Sequence, residues 1–175
     1  MKRTKRGAAG RRKPQTAERG GVVVRRAAKK DIAAIAALSV ELARFHEARE
    51  KSFKTARGLK SGLAEHKAGQ LRRRNVRFAV AQAEGDIIGY CLSVAVQRPP
   101  IFKTRRVLHI LDMCVTARMR RRGVGHLLFE DAVAWAKSRG IRRIEVAFAP
   151  SNEISSRFWP GLGFKTFIES GYLEI

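Results

Sequence analysis

The apolar positions of this chain recur with two different periods, and each period predicts a different kind of element. Apolar residues at alternate positions predict strands, whereas apolar residues three or four apart predict amphipathic helices. The predicted strands are residues 21–25, 77–82, 87–96, 107–115, 141–148 and 164–168. The predicted helices are residues 32–45, a weaker stretch over 49–77, roughly 123–139, and 152–159. We therefore expect a mixed α/β domain with the element order β-α-α-β-β-β-α-β-α-β.

Local signals support several of these boundaries. Asp31 precedes the first helix, where an aspartate side chain can cap the free N–H groups. The turn residues Glu84-Gly85-Asp86 separate two predicted strands and favour a hairpin. The strand 107–115 is apolar on both faces, so it should lie in the middle of the sheet. Gly140 follows the third helix and is typical of a helix end.

Residues 1–20 differ in composition from the rest of the chain. They hold eight Lys or Arg and a single Glu, several glycines, and no bulky apolar residue after Met1. Like charges without apolar surface cannot offset the entropy that is lost when a segment becomes ordered. We expect residues 1–20 to form a disordered basic arm and residues 21–175 to form a single domain.

The charge of the whole chain limits its partners. Its 175 residues carry a formal net charge of +22, with a pI near 11.4. Such a surface attracts phosphates, nucleic acids or anionic membranes and repels polycations. No apolar run approaches the roughly 20 residues of a membrane span, and no apolar segment follows the basic N-terminus as it would in a secretory signal. Cys91 and Cys114 lie inside apolar runs without metal-ligand spacing, so we expect a soluble cytoplasmic protein with buried, reduced thiols and no metal.

A basic, glycine-containing loop joins the predicted central strand to the third helix. Gly123 and Gly125 remove side chains where the backbone must turn and approach a ligand. Free N–H groups and the positive end of the helix dipole at this point suit a pyrophosphate. The loop is not a P-loop, because Gly-Lys-Ser/Thr is missing, and Leu128 stands where Gly-x-Gly-x-x-Gly has its third glycine. The alternative interpretation is a helix start with incidental glycines and solvated arginines.

Two blocks of the sequence resemble the GNAT superfamily of N-acyltransferases. The loop is similar to that family's acetyl-CoA signature, Arg/Gln-x-x-Gly-x-Gly/Ala, which lies between the fourth strand and the following helix. A second block is similar to the family's Asn-x-x-Ala-x-x-Phe-Tyr-x-x-x-Gly-Phe, with Asn152, Ser155, Phe158, Trp159, Gly163 and Phe164 at the corresponding positions. The resemblance covers about residues 21–170. It implies a mostly antiparallel sheet of six to seven strands, splayed between strands 4 and 5, with about four flanking helices.

The resemblance also implies acetyl-CoA as the co-substrate and assigns residues to it. The pantetheine arm would lie between the fourth and fifth strands, where the backbone of Met113 and Val115 would pair with it. The loop amides would hold the pyrophosphate, and Asn152 would bond the pantetheine, although it also suits a helix cap. The residues assigned to the pyrophosphate are Arg120, Arg121, Arg122, Gly123, Val124, Gly125 and His126.

Acetyl transfer to an amine requires a base for the amine and an acid for the leaving thiolate. His109 lies on the predicted fourth strand, where some relatives carry a catalytic glutamate, and an imidazole can serve as a base near neutral pH. Asp112 matches an acidic position of several relatives. In alternating geometry these two side chains point to opposite faces, and a core histidine and a substrate-orienting aspartate remain open alternatives. Trp159 stands where many relatives place a tyrosine acid, and an indole does not supply a proton at neutral pH.

The acceptor and the rival interpretation follow from the charge. In the GNAT fold the first two helices shape the acceptor site, and here they carry many basic residues: His46, Lys51, Lys54, Arg57, Lys60, His66, Lys67 and Arg72 to Arg74. This favours an acceptor that bears carboxylate or phosphate, or a protein N-terminus or lysine, over polyamines and aminoglycosides. A solvated helix face is the alternative. The rival function is a basic RNA- or ribosome-associated binding protein on a GNAT fold, and the sequence also allows a homodimer.

Overall fold

A computed structural model of the chain describes residues 17–173. Its six strands form one sheet in the order β1-β2-β3-β4-β5-β6, in which every neighbouring pair is antiparallel except the parallel pair β5–β6. The strands are β1 (Ala17–Arg19), β2 (Val22–Arg26), β3 (Val76–Ala83), β4 (Asp86–Gln97), β5 (Arg106–Val115) and β6 (Ile144–Val146). The helices are α1 (Ile32–Glu47), α2 (Leu59–Leu71), α3 (Val124–Ser138) and α4 (Glu153–Gly161). The predicted class, a mixed and mostly antiparallel α/β fold, is confirmed.

The helices cover the two faces of the sheet and build two apolar cores. On one face, α3 packs Leu128 and its apolar neighbours against the inward side chains of β2 to β5 and against Trp159 of α4. On the other face, Ile35 and Leu38 of α1 pack against the side chains of β3, β4 and β5. β5 is buried on both faces over Val107 and Leu108. It is nevertheless the fifth of six strands, so the expectation that it lies in the middle of the sheet is wrong. No helix among residues 17–173 has the length and apolarity that crossing a membrane requires.

The sheet begins within the segment that was predicted to be a disordered arm. Residues 17–19 form β1 and pair with β2, so the boundary at residue 20 is wrong. The physical reason is the Gly20-Gly21 pair, whose φ angles of 57° and 74° close a two-residue hairpin loop between Arg19 and Val22. Two consecutive positive φ angles define the turn that matches the twist of a hairpin. The remainder of the predicted arm, residues 1–16, lies outside the described residues.

Other predicted elements are shorter or absent. Residues 164–168, predicted as the last strand, form no strand, and Phe167 and Ile168 are exposed. The fifth predicted strand, 141–148, contracts to the three residues of β6, which leaves little edge for a further strand to pair with. The weak helical stretch 49–77 contains a 3₁₀ turn (Lys51–Phe53) and α2, which begins after Gly58 at a φ of 73°.

Asp31 does not cap α1 with its side chain. Its carboxylate instead accepts two hydrogen bonds from Arg25, at 2.7 and 2.9 Å, and one of 2.8 Å from the backbone N–H of Ala28. The Asp31 side chain is only 4% exposed. These bonds join the end of β2 to the 3₁₀ turn (Lys29–Asp31) that leads into α1, and the guanidinium of Arg25 lowers the pKa of Asp31.

Replacing Asp31 by Asn should lower the free energy of unfolding by about 2 kcal/mol, because Arg25 loses a buried ionic partner. Since the pKa of Asp31 is lowered in the folded state, the contribution is fully present above the unfolded carboxyl pKa of about 3.9 and is lost as the pH falls through the folded value. Urea unfolding of both proteins from neutral pH down to about pH 3 measures this effect.

The matched control for this prediction is Asp86→Asn. Asp86 pairs with Arg118 at 3.2 Å, but both side chains are about 70% exposed, so the substitution should cost less than about 0.5 kcal/mol. Equal losses in the two variants, or a loss in Asp31→Asn that does not shrink on acidification, would contradict the assigned role of the buried pair.

Candidate active site

Strands β5 and β6 separate after a short paired stretch. β6 pairs only with Leu108, His109 and Ile110 of β5, whereas β5 continues to Val115. Beyond Ile110 the edge of β5 that faces away from β4 therefore has no strand beside it. Since β1 was not among the predicted strands, β5 and β6 correspond to the predicted fourth and fifth strands. The fork therefore lies where the splay was expected.

A bulge in β5 lies at the fork. The register with β4 shifts between Leu92 and Ser93, so that Leu92 faces Asp112 while Ser93 faces Ile110, and Leu111 has no direct partner. Leu111 is 53% exposed. An extra residue in one strand reverses the facing of every residue after it. His109 and Asp112 therefore share the face of α1 and α2, and the expectation that they point to opposite faces is wrong.

The bulge also sets the direction of the β5 backbone after Leu111. The N–H of Thr116 donates to the carbonyl of Ile88 on β4, at 2.9 Å. Because successive residues of a strand direct their backbone groups to opposite sides, those of Met113 and Val115 are directed into the fork. The Val115 carbonyl accepts a hydrogen bond of 2.9 Å from Arg120 Nε. Met113 thus offers an unpaired strand edge at the position that was predicted to bind the pantetheine.

The loop after β5 ends at an uncapped helix. Gly123 precedes α3 with a φ of 80°, a conformation that favours glycine, and it supplies no side chain to cap the helix. The first N–H groups of α3, from Val124 to His126, have no intrahelical acceptor. Arg121 also has a positive φ, 63°, and both it and Arg122 are exposed. The result is a set of free N–H donors at the positive end of a helix, with two mobile cations beside it.

Arg120 serves the architecture of the loop. Besides its bond to Val115, its guanidinium donates to Glu41 Oε1 of α1 at 2.9 Å. Glu41 also accepts from the hydroxyl of Thr116 and from the N–H of Ala117. The side chain of Arg120 is therefore committed to holding the loop against α1. The sequence did not point to Glu41, because no pattern in α1 distinguishes this residue from the other acidic residues of the chain.

Gly125 and His126 face the second predicted motif. A Cβ on Gly125 would lie 3.3 Å from two ring atoms of Phe158, so this glycine allows α3 and α4 to pack closely. The imidazole of His126 packs edge-on against the same ring, with the centroids 5.3 Å apart. Gly123, by contrast, has open space around its missing Cβ, so it is the glycine at which a ligand can approach the backbone.

Asn152 and Trp159 are both buried, and both lie on α4 or at its start. Asn152 Oδ1 accepts the N–H of Ser155 at 3.1 Å, which is the helix-cap role. The Trp159 ring packs against Phe129, Phe158 and Phe164. No buried side-chain nitrogen or oxygen among the described residues lacks a hydrogen-bond partner. The unbonded Asn152 Nδ2 and Trp159 Nε1 must therefore each retain contact with solvent.

His109 has a carboxylate partner that the sequence did not indicate. Its Nε2 atom lies 2.9 Å from Oε2 of Glu145, the residue opposite it on β6. Glu145 is largely buried and also accepts a hydrogen bond of 2.6 Å from Arg143. The His109 side chain is 40% exposed. With Nε2 bonded to the carboxylate, Nδ1 is the nitrogen that remains available as a proton acceptor.

Asp112 forms an ion pair with Lys67 of α2. Lys67 is only 3% exposed, so the alternative of a solvated helix face is wrong for this residue. Its ammonium lies 5.4 Å from the centre of the Tyr90 ring, and the Tyr90 hydroxyl accepts a hydrogen bond of 2.9 Å from Ser39. Burial, supported by the charge of Asp112, raises the pKa of Tyr90. The Asp112 carboxylate is thus fixed in position by a buried cation.

The space beside Asp112 is bounded by the end of α1. His46 packs against the Phe53 ring with the centroids 5.1 Å apart, and partial burial lowers the pKa of its imidazole, an effect that Asp112 opposes. Beyond His46 the 3₁₀ turn and the loop before α2 present Lys51, Lys54 and Arg57, all exposed. The predicted basic rim is therefore present on the α1–α2 side, apart from the buried Lys67.

Solved structures of other proteins share the fold of this chain. A tetramutant of the BH1408 protein of Bacillus halodurans is 24% identical to the chain, with a TM-score of 0.78 over 87% of this chain and 99% of that one. The aminoglycoside N-acetyltransferase AAC(6')-Iy in complex with CoA is 18% identical, with a TM-score of 0.72 over 91% and 98% of the two chains. AAC(6')-IG of Acinetobacter haemolyticus is 16% identical, with a TM-score of 0.70 over 87% and 97%. At these identities the likeness shows that the fold is shared.

The family follows from the sequence itself. The profile of the acetyltransferase (GNAT) family matches residues 42–164, which include β5, the glycine loop and α4. The chain therefore belongs to the GNAT family of acetyltransferases, and the resemblance of its two motifs is confirmed. No protein of curated function matches it.

The two cysteines should be inert in the native protein. Burial raises the pKa of both Cys91 and Cys114 to about 12, so only a ~10⁻⁴ fraction of each is thiolate at pH 8, and the thiolate is the reactive form. We expect neither thiol to react with iodoacetamide in the folded protein within hours and both to react in urea, as measured by intact mass. Rapid native labelling of Cys114 would show that its thiol is accessible and contradict its burial.

Proposed function

We propose that the chain is an acetyl-CoA-dependent N-acetyltransferase that transfers the acetyl group directly to a primary amine. The observation that carries the proposal is the coincidence of two features at one end of the sheet. The unpaired edge of β5 at Met113 opens beside the uncapped N-terminus of α3. An extended amide-containing arm fits the first feature, and a pyrophosphate fits the second.

The residues around the fork and the glycine loop suit the chemical groups of the coenzyme. Backbone groups of Met113 would pair with the pantetheine amides, and the free N–H groups of residues 121 to 126 would hold the pyrophosphate. Arg121 and Arg122 add positive charge, while Arg120 shapes the loop through Glu41. Asn152 Nδ2, just before α4, and Trp159 Nε1, within it, have no protein partner and can contact the arm.

We assign His109 as the base. The amine proton passes to His109 Nδ1, directly or through water, as the new N–C bond forms and the thioester C–S bond breaks. Glu145, bonded to Nε2, holds the ring in one orientation and stabilises the charge that the ring gains. The proton taken up by His109 balances the one that the leaving thiolate requires, so the imidazole can serve both steps.

Asp112 acts as an orienting group for the acceptor. It shares the face of His109, but its carboxylate is already paired with the ammonium of Lys67. A carboxylate held in this way can accept a hydrogen bond from the incoming ammonium or amine. This assignment separates the two candidates that the sequence left together: His109 accepts the proton, and Asp112 positions the substrate.

A tyrosine does not supply the proton for the thiolate. Tyr90 lies on the α1–α2 face with its hydroxyl bonded to Ser39 and its pKa raised by burial. Tyr172 is 71% exposed in the segment after α4, and Trp159 packs among three phenylalanines. We therefore propose protonation by the imidazolium of His109 or by water.

The acceptor should carry negative charge near its amine. The exposed Lys51, Lys54 and Arg57 line the approach on the α1–α2 side, and cations there repel polycationic substrates and attract carboxylates or phosphates. Two of the structural relatives named above are aminoglycoside acetyltransferases, but an aminoglycoside is a polycation. We propose a small acidic amine or a protein N-terminus or lysine in an acidic context, which a screen of an amine library would identify.

A polyanion is a second proposed partner. The net charge of +22 and the seven Lys or Arg among residues 1–16, with no acid, support contact with RNA or a ribosome. The buried thiols are consistent with a reducing cytoplasm. Homodimer formation stays a prediction. A pure polyanion-binding protein would show no affinity for acetyl-CoA in calorimetry at moderate salt, which separates that alternative from the enzyme.

The substitution Gly123→Leu should abolish or strongly weaken acetyl-CoA binding, because a side chain at this position stands where the pyrophosphate meets the backbone. Isothermal titration calorimetry at moderate salt measures the affinity, for which a micromolar Kd is expected in the parent chain. A loss of at least about tenfold, or about 1.4 kcal/mol, is expected.

Gly140→Leu is the control for backbone strain. Gly140 has a φ of 67° and open space around it, like Gly123, but it lies at the other end of α3. Both variants should lose similar stability, whereas only Gly123→Leu should lose coenzyme affinity. If Gly123→Leu folds and binds like the parent, or if both variants bind equally poorly while folded, the coenzyme site lies elsewhere.

His109→Gln should lower kcat by ~10²-fold or more, the usual range for loss of a general base, with coenzyme affinity little changed. The rate of the parent should rise with pH as the imidazole loses its proton, and this rise should vanish in the variant. Glu145→Gln should lower kcat by a smaller factor, about tenfold, and move the pH profile, because the imidazolium loses its carboxylate partner.

Asp112→Asn serves as the matched comparison, since it removes a charge at nearly constant volume. It should mainly raise the acceptor KM. Should Asp112→Asn lose kcat while His109→Gln keeps the parent pH profile, the two roles must be exchanged. If neither variant changes the rate, deprotonation occurs in bulk water and neither residue is the base.

A further inference from the structure

A second basic site lies at the end of the molecule opposite the glycine loop. It is a pocket of about 270 Å³, here called the arginine pocket, between the end of β2, the turn from α2 to β3, and the end of α3. Its lining consists of Arg26, Arg72, Arg73, Arg74, Val76, Arg77, Trp135 and Arg139. Six of these eight residues are arginines, and none of the eight is acidic.

The charges of the arginine pocket are almost uncompensated. Arg77 is neutralised by Asp131 of α3, which is buried and accepts a hydrogen bond of 2.8 Å from Arg77 Nε. Among residues 17–173, the other five arginines form no salt bridge with a carboxylate. Five guanidinium groups around one small volume repel one another, and an anion within it relieves that repulsion.

Part of the lining is held in place. Arg139 donates a hydrogen bond of 3.0 Å to the carbonyl of Arg74, and its guanidinium lies 4.9 Å from the centre of the Trp135 ring. Arg73 donates to the side chain of Gln70 at 3.1 Å. Arg26 and Arg72 are exposed. The pocket therefore combines a positioned aromatic and guanidinium pair with cations that are free to turn toward a ligand.

The arginine pocket is separate from the proposed coenzyme site. The glycine loop adjoins the first residue of α3, whereas Trp135 and Arg139 lie in its last turn and just after it. A helix of 15 residues spans about 1.5 Å per residue, so the two sites are about 20 Å apart. The coenzyme pyrophosphate held at the loop therefore does not reach these arginines.

We propose that the arginine pocket binds the phosphodiester backbone of a single-stranded nucleic acid, with a base against Trp135 and Arg139. Repeated phosphates match five uncompensated cations better than a single phosphate group does, and an aromatic ring beside arginines is what unstacked bases contact. The first described residue also lies near the pocket in the sheet. Ala17 pairs with Val24, two residues before Arg26, and residues 1–16 hold seven Lys or Arg without an acid.

The test measures binding of labelled oligouridylate and oligodeoxythymidylate, about 12 nucleotides long, to the full chain by fluorescence anisotropy. The variant Arg72→Ala/Arg73→Ala/Arg74→Ala should bind at least tenfold more weakly than the parent. Across about 50 to 200 mM salt its salt slope should be shallower by about 2, since each lost contact to a single strand removes about 0.7. Comparison of the two oligonucleotides tells whether the 2′-hydroxyl contributes.

The control variant is Lys51→Ala/Lys54→Ala/Arg57→Ala, which removes the same charge from exposed positions at the α1–α2 loop. It should weaken binding by less than about threefold, through net charge alone. Acetyl-CoA at saturation should not displace the oligonucleotide, because the sites are apart. This result is independent of whether the protein transfers acetyl groups.

A second measurement needs no variant. Trp135 is half-buried at the pocket, whereas Trp159 is buried in the core, so quenching of tryptophan fluorescence by the unlabelled oligonucleotide reports contact at Trp135. The proposal is overturned if both triple variants weaken binding equally, if the parent shows no binding or no quenching, or if acetyl-CoA competes. It is also overturned if oligoglutamate competes as well as the oligonucleotide, because the partner would then be an acidic protein.

Discussion

The arrangement of this molecule depends on β5, whose first half has a neighbouring strand on both edges and whose second half has one on a single edge. β5 pairs on both edges from Leu108 to Ile110 and on one edge afterwards. The unpaired Leu111 marks the change. That single extra residue brings His109 and Asp112 to one face and directs the backbone of Met113 into the fork. The placement of the catalytic candidates and the edge proposed for the coenzyme are thus consequences of the same local irregularity.

The carboxylates show how a very basic protein uses its few acids. Five of the acidic residues among residues 17–173 form contacts that are at least partly buried: Asp31 with Arg25, Glu41 with Arg120, Asp112 with Lys67, Asp131 with Arg77, and Glu145 with His109 and Arg143. Each contact joins elements that are distant in sequence or fixes the site. The arginines that remain outside such contacts gather on surfaces, and they create the field that selects anionic partners.

The sequence predicted those features that depend on residues close together along the chain. Periodicity placed α1, α3 and the strands β2 to β5, and the glycine loop and α4 carried enough pattern to define the family. The Gly20-Gly21 pair was a readable hairpin signal that was overlooked. The partner of His109 could not be found in this way, because Glu145 meets it only through the parallel register of β5 and β6. The burial of Lys67 could not be predicted, because α2 has little amphipathic pattern. It becomes evident only from the packing of Lys67 against Asp112.

The shortness of β1 and β6 has a consequence for the behaviour of the protein at high concentration. A sheet exposes unpaired backbone groups at both outer edges, and a long, flat edge invites pairing between molecules. Here each outer strand has three residues, one bearing Glu18 and Arg19 and the other Glu145 with Arg143 before it. A second molecule therefore finds only three strand residues to pair with at either border, which disfavours extension of the sheet. Among the described strands, the longest open edge lies inside the fork, where β5 continues beyond Ile110 without a neighbour.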